Sequence, residues 1–528
     1  MKITIYPLFS TFLLGAITSI LGLLPIASHA ATLASNGSQA DVQSKISGAV
    51  DGDTVTIPAG TFTWTSGVTI SGKGIKLQGA GGGRVEGSST TSLAIGTGSK
   101  SFAIRSGSTV TSSGFTAGEA IIVRNKHVAA NTMTGTVTSW NGTTLVVNAT
   151  SSTGSGTLNA WTFEMPSATQ TTIVHSADSL TLIQVTRDVT NSTEITGLRL
   201  VRGTATTWNS YGISIGGTGK PILIHDIRIS SVVLGINASG SGLIVWQCYF
   251  DIGFDIGNNT NAVNNGLQLR GESDSWTTAH SIGAADTTGI KNTYIENCYF
   301  IGHVLACIDA SDNFRGSLRY CVLDNSGITI HGQDTGPIGM RHLEVYNNLM
   351  IFDALPAPSA LTANMNYWIS WRGGSGIWTD NVMDDITSWA WGNKGEVSLE
   401  YQPIRRGTTV YGANGWTLGY PSSRQPGQGI NSGTTTTLNG VTIYTNRIVE
   451  GVYVWNNTGT CAIGVGNYNP DDVGLNRQIA DYIKFNRDYF ERAPTGAEPY
   501  VGYTKYTYPH PLRPGMPPSK AFVSINLN

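Results

Sequence analysis

The sequence predicts an all-β solenoid whose chain winds as a parallel β-helix, and three observations carry this. Glycine makes up 65 of 528 residues and charged residues only 12%, a composition rich in turns and short of helix formers. A short pattern repeats: "IVWQCYFDI", "YIENCYFIG", "SLRYCVLDN", "EVYNNLMIF", "GIWTDNVMD" and "TIYTNRIVE" superpose without gaps on Cys248, Cys298, Cys321, Asn348, Asn381 and Asn446. "ILIHDIRIS" and "EITGLRLV" extend the column upstream to Ile227 and Leu198. Apolar residues stand two positions after the column, such as Phe250 and Leu323, and three before it, such as Val245 and Leu318. Both sets must face the core, and an offset of three breaks the period of two that a straight strand keeps. The chain therefore bends sharply just ahead of the column. Column spacings of 21, 23, 27 and 29 residues make about one coil each; 33, 50 and 65 require loops or extra coils.

Taken in order, residues 1–30 have the form of an export signal: Lys2, a long apolar run, and small residues Ser28 and Ala30 bracketing His29. A membrane anchor is the alternative, but Gly15, Gly22 and Pro25 interrupt the run and no basic stop-transfer cluster follows. No later segment is long and apolar enough to span a bilayer. Residues 31–84 supply an amino-terminal cap, with a short amphipathic helix from Val42 to Val50 closing the open end, and the first coils from Asp53. Residues 85–165 break the rhythm and predict a small inserted β-barrel-like module, with Asn141-Gly142 as a hairpin turn. The main solenoid covers 166–460, including a long excursion between Asn381 and Asn446 with room for a further coil and a covering loop. Residues 461–528 form an aromatic, proline-rich extended tail.

With the bend, the stacked Asn348 and Asn381, and the opening "SQADVQSKISGAVDGDTVTIPAGTFTWTSGVTISGKGIKLQGAGGG", the chain resembles the right-handed parallel β-helix of pectate-lyase-like proteins. The resemblance implies an asparagine ladder at the corner, its amides bonded to neighbouring coils. It also implies an active-site face on a strand beyond that corner. The inserted module resembles short modules of phage tail and surface proteins, and "YTYPHPL" resembles the ending of many secreted β-helix proteins.

Between corners a second strand also aligns: "GISIGGT", "LGINASG", "LQLRGES", "ACIDASD", "ITIHGQD", "ISWRGGS" and "VYVWNNT". Its outward column reads Gly216, Asn237, Arg270, Asp309, His331, Arg372 and Trp455, with Gln268, Cys307, Thr329 and Ser370 beside it. At about 4.8 Å per strand, Arg270, Asp309, His331 and Arg372 span roughly 15 Å, the length of a few sugar units. Tyr453 and Trp455 extend the face with rings suited to stacking on sugars. Unequal loops flank it: Asp251 to Asn264, Phe352 to Met365, Ser273 to Lys291 and Asp334 to Met340. Outward positions of a solenoid are polar in any case, so plain surface ion pairs are the alternative. Against that stands the scarcity of charge: four successive recognised rungs are ionisable.

The column suits β-elimination on an acidic, uronate-containing polysaccharide. That reaction needs a cation on the uronate carboxylate, a base for the neighbouring proton and an acid for the leaving oxygen. Arg270 or Arg372 would grip the carboxylate, His331 would be the base, and Asp309 would orient it. Arg341, Tyr346, Gln333, Tyr453 and Trp455 are candidates for binding substrate. "ISWRGGSGIWTDNVM" resembles the arginine-bearing coil of chondroitinase-B and alginate lyases, which implies that role for Arg372; those enzymes use a lysine base, and this column has no lysine. Asp312, Asp334 and Glu272 are candidate ligands for Ca2+, or else a solvated acidic patch. Two other functions stay open. One is glycoside hydrolysis by Asp309 with Asp312 or Asp334. The other is a secreted, non-catalytic glycan-binding or adhesive protein, using Trp455, Tyr453, Trp389, Trp391 and Trp416.

A net charge of −2 gives no electrostatic case for nucleic acid or an anionic membrane, so the expected partner is a glycan. Five cysteines without a C-x-x-C pair indicate neither a zinc site nor a disulfide framework. Cys248, Cys298 and Cys321 stack inward as buried thiols.

Overall fold

The structure, a computed structural model, describes residues 30–513 apart from 127, 129, 178–179, 204–210, 231–233, 252–264, 273–285, 303–305, 333–338, 353–366, 386–394, 402–424, 432–434, 439–440, 445–446 and 468–482. Gln333, Asp334, Trp389, Trp391, Trp416, Asn446, nearly all of the segment expected to be an export signal and most of the four flanking loops lie outside the described residues.

The chain is a right-handed parallel β-helix, 51% strand and 3% helix. Each coil contributes one strand to each of three parallel sheets. The first sheet has 12 strands, from Thr32–Ala34 to Tyr489–Phe490; the second has 10, from Gly60–Trp64 to Thr458–Gly459; the third has 10, from Val68–Ile70 to Ala462–Asn467. Inward residues form one continuous apolar core along the coils, from Val42 and Ile46 to Val452 and Val454. The capping helix runs Gln39–Gly48, starting earlier than the apolar pattern suggested because Ser38 caps it, its hydroxyl accepting from the Asp41 N–H at 3.4 Å. The solenoid also begins earlier: Thr32–Ala34 pairs with Thr54–Thr56 before the helix is made.

The bend between the first and second sheets has a single cause. Asp226, Gln247, Asn297, Tyr320, Asn347, Asp380 and Asn456 all adopt left-handed backbone, with φ between +48° and +58°. One such residue turns the strand and puts the next residue, the repeat column, inside. There Asn348 Nδ2 donates to Asn381 Oδ1 at 3.0 Å, and Asn381 Nδ2 to Asn457 Oδ1 at 3.1 Å. Each also donates backwards, Asn348 to Leu318 O at 2.9 Å and Asn381 to Val345 O at 3.0 Å. Cysteines fill the same place higher up: the Cys248, Cys298 and Cys321 thiols donate to Ile224 O, Val245 O and Ile295 O at 3.6, 3.9 and 3.7 Å. All five cysteines are free thiols.

Two parts of the chain lie across the solenoid. Residues 84–165 form a six-stranded antiparallel sheet around Phe102, Phe115, Trp161 and Phe163. Buried ion pairs tie it to the second sheet: Lys126 Nζ to Asp324 at 2.6 Å and Glu164 to Arg228 at 2.9 Å. The carboxy-terminal segment runs back down the outer face of the first sheet. Tyr500 donates to Glu450 at 3.1 Å, Tyr503 to Glu344 at 2.9 Å and Tyr508 to Asn297 at 2.8 Å, while Arg513 pairs with Glu296 at 2.7 Å. Among the described residues no helix is long and apolar enough to cross a membrane.

Candidate active site on the third sheet

The third sheet carries consecutive rungs Asn265–Arg270, Ala306–Ser311, Ile328–Ile330, Ile369–Trp371, Glu396–Tyr401 and Ala462–Asn467. No coil intervenes between the rungs that bear Arg270, Asp309, His331 and Arg372. Its outward row reads Gly216, Ser239, Arg270, Ser311, His331, Arg372, Glu400 and Gly466. Asp309 sits two residues back, in the row of Asn237, Gln268, Thr329, Ser370 and Ser398. A slip of two residues keeps the face, so Asp309 still points outward and reaches across to the next coil.

His331 Nε2 lies 2.9 Å from Asp309 Oδ1, and Asn265 Nδ2 donates to Asp309 Oδ2 at 2.8 Å. Arg372 Nη1 donates to His331 Nδ1 at 3.4 Å. A guanidinium has no acceptor, so Nδ1 must accept; the imidazole proton is then on Nε2 and is donated to Asp309. Arg372 Nε donates to Ser370 Oγ at 3.0 Å and to Glu400 Oε2 at 3.2 Å. The result is one chain, Asn265–Asp309–His331–Arg372–Glu400, across five rungs.

These side chains are outward but not open to solvent: Asp309, His331, Arg372 and Glu400 are 5%, 8%, 7% and 2% exposed. Side chains stacked one rung apart screen each other. Burial alone would push the Asp309 carboxyl up, but its contacts with His331, Arg372 and Asn265 hold it below the usual range. Burial outweighs Arg372 at Glu400 and leaves that carboxyl raised.

The structure corrects the placement of several other candidates. Arg270 is not in contact with His331; its Nε pairs with Asp312 at 3.2 Å and its Nη1 donates to Asn237 at 3.2 Å. Glu272 accepts from the Ser241 hydroxyl. Of the three carboxylates named for Ca2+, Asp312 and Glu272 are engaged by protein groups and Asp334 lies outside the described residues; among the described residues no group of three His, Cys, Asp or Glu is arranged to hold a metal. Arg341 is fully buried on the first sheet, paired with Glu450 at 2.9 Å. Tyr346 is buried there too, accepting from Arg319 at 2.8 Å. Tyr453 and Trp455 belong to the first sheet, because Asn456 and Asn457 make a ladder corner directly after them. Tyr453 stacks on Phe490, and Trp455 meets Tyr503 edge to face. Their work is to seat the carboxy-terminal segment. Cys307 lies in the core.

Glu400 was missed, although its signal was present. "ITIH", "ISWR" and "VSLE" are one pattern of inward apolar and outward polar residues, and the sheet pairs them in that register.

No protein-family model matches the chain, and no curated protein sequence matches it. Among solved structures, the chain is similar to an alginate lyase from Paenibacillus sp. str. FPU-7 at 11% identity and TM-score 0.34, covering 88% of this chain and 98% of that one. It is similar to the Gp54 tailspike of Acinetobacter baumannii bacteriophage AP22, in complex with capsular saccharide, at 10% and 0.20, covering 87% and 68%. It is also similar to the catalytic unit of a GH87 α-1,3-glucanase from Streptomyces thermodiastaticus strain HF3-3 at 10% and 0.30, covering 72% and 91%. At these scores the chemistry has to be argued from the site's own residues.

Proposed function

We propose that the protein is a secreted polysaccharide lyase, cleaving an acidic, uronate-containing glycan by β-elimination. The observation that carries this is the contact between His331 Nδ1 and Arg372, with Asp309 behind the ring. A uronate carboxylate gripped by Arg372 would bring its α-carbon beside the one ring nitrogen able to take a proton. Arg372 neutralises the carboxylate, which makes the α-proton acidic; His331 removes it; Asp309 stabilises the imidazolium that forms. No lysine stands in the row, so His331 takes the part of the base.

Ultraviolet absorbance of unsaturated uronates tests the proposal, with pectate, alginate and glycosaminoglycans as substrates, with and without Ca2+. A rise on one substrate, abolished by His331→Ala and by Arg372→Ala, is expected. The arms with and without Ca2+ test the candidate ligands Asp312, Asp334 and Glu272; no step above requires the ion. One observation favours glycoside hydrolysis as a second reading: the Asp309 and Glu400 carboxyls are pushed in opposite directions, as an acid and base pair requires. New reducing ends without absorbance would select it. Glycan retention with neither product would make the protein a binding protein.

A further inference from the structure

We infer that Glu400 is the general acid of this site, delivering a proton to the glycosidic oxygen as it leaves. The inference rests on the lyase proposal above and names the group that proposal lacks. An elimination that forms a free alcohol needs a protonated group within reach of the leaving oxygen. Asp309 cannot supply it, since its carboxylate accepts from His331 and Asn265. His331 cannot supply it before it has taken the substrate's proton. Arg372 is committed to the carboxylate.

Glu400 has the required position and condition. It is in register with Arg372, on the opposite side from His331, so acid and base flank the cation. Its Oε2 is tied to Arg372 at 3.2 Å while its buried Oε1 has no hydrogen-bond partner. A buried oxygen without a partner is costly for a structural carboxylate, but it is natural for an O–H that awaits a ligand. The Ser370 and Ser398 hydroxyls stand beside the carboxyl and, with Arg372, work against the effect of burial. Burial holds the group protonated further up the pH scale than an exposed glutamate. The next rung is Gly466, which brings no side chain to the row, and an added Cβ there would meet nothing within 4 Å among the described residues.

The step balances. The α-carbon's C–H bond breaks and its proton goes to His331 Nδ1. The electron pair forms the double bond to the β-carbon, whose bond to oxygen breaks, and that oxygen takes the Glu400 proton. Glu400 is left as carboxylate and His331 as imidazolium, and exchange with solvent resets both.

The experiment compares wild type with Glu400→Gln on two substrates: the polymer that wild type cleaves, and a uronate whose β-substituent is a nitrophenolate, which departs without protonation. An acid role predicts that kcat on the polymer falls about 10²- to 10⁴-fold while the activated substrate loses less than about tenfold. Equal losses on both would make Glu400 a holder of Arg372 and overturn the inference. Wild type alone gives a second measurement that does not depend on the variant folding: an alkaline fall in kcat on the polymer that is absent on the nitrophenyl substrate supports the acid, and identical profiles overturn it. If wild type forms no unsaturated product from any polymer, the lyase proposal itself falls, a result distinct from either outcome at Glu400.

Discussion

Asp309 and His331, 22 residues apart in sequence, meet at 2.9 Å because successive coils of the third sheet stack them. An asparagine at 309 would keep the shape but not the charge that steadies an imidazolium. Asp309→Asn is expected to lower turnover by about 10²- to 10⁴-fold with little change in KM, read from initial rates of unsaturated product. The pair also has a pH signature. The folded carboxyl is held below its ordinary 3.8, so its stabilisation is present above that pH and is lost as pH falls through the folded value. Followed by circular dichroism, wild type should lose stability as pH falls through this range, and Asp309→Asn should lack that pH-dependent component.

The corner ladder predicts a ranking. Asn381→Ala removes the acceptor of the Asn348 N–H and two donated bonds in a dry interior, at a cost of about 2–4 kcal/mol. Cys298→Ala removes a weak thiol donor, which lies 3.3 Å from Glu296 O and 3.9 Å from Val245 O, and a small volume, about 1–2 kcal/mol. Urea unfolding of both variants should show that order; a reversed order would mean the amides do not carry the corner.

Under the carboxy-terminal segment, Arg341 and Glu450 form a fully desolvated pair in which both terminal guanidinium nitrogens donate to the carboxylate. Glu450→Gln strands the cation and should cost about 3–5 kcal/mol. The half-exposed pair of Lys505 with Asp380 is the control, and Lys505→Ala should cost less than about 1 kcal/mol. Equal midpoint shifts in denaturant would refute this contrast.

Glu86, in the inserted sheet, is fully buried against Arg84 Nε at 3.3 Å, and burial pushes its carboxyl up to about 7. Both states are protonated below its ordinary 4.5. As pH rises from there to about 7, the unfolded chain ionises while the folded one resists, so stability is lost across that window and stays lost above it. Glu86→Gln should be more stable than wild type at pH 8, by about 3 kcal/mol at most, and the difference should close near pH 4. Thermal melts at the two pH values measure it.

The repeat, the corner and the outward face were legible because each is a local pattern that recurs: Val245, Cys248 and Phe250 repeat as Ile295, Cys298 and Phe300. His331 and Arg372 were placed correctly by alternation alone. Asp309 was placed two residues out of register because Ala310, small and next to polar residues, did not look like core. Trp455 was assigned to the wrong sheet because its strand satisfies the alternation of either one, and only the left-handed Asn456 decides between them. Glu400 lay hidden because the next ladder residue, Asn457, comes only after an excursion that has no repeat of its own. The burial of Arg341 and Tyr346 was beyond reach, since nothing local says that the carboxy-terminal segment returns to cover the first sheet.

That return, with the inserted sheet, changes how the molecule comes apart and when it is complete. A plain stack of coils couples only nearest neighbours and frays from its ends. Here Lys126 waits 198 residues for Asp324, and Glu296 waits 217 for Arg513. Each contact closes over many coils, so slow, late folding and all-or-none opening are built into the chain. A ribosome must finish nearly the whole protein before its middle is fastened, and a protease offered only an end finds no coil that peels away by itself.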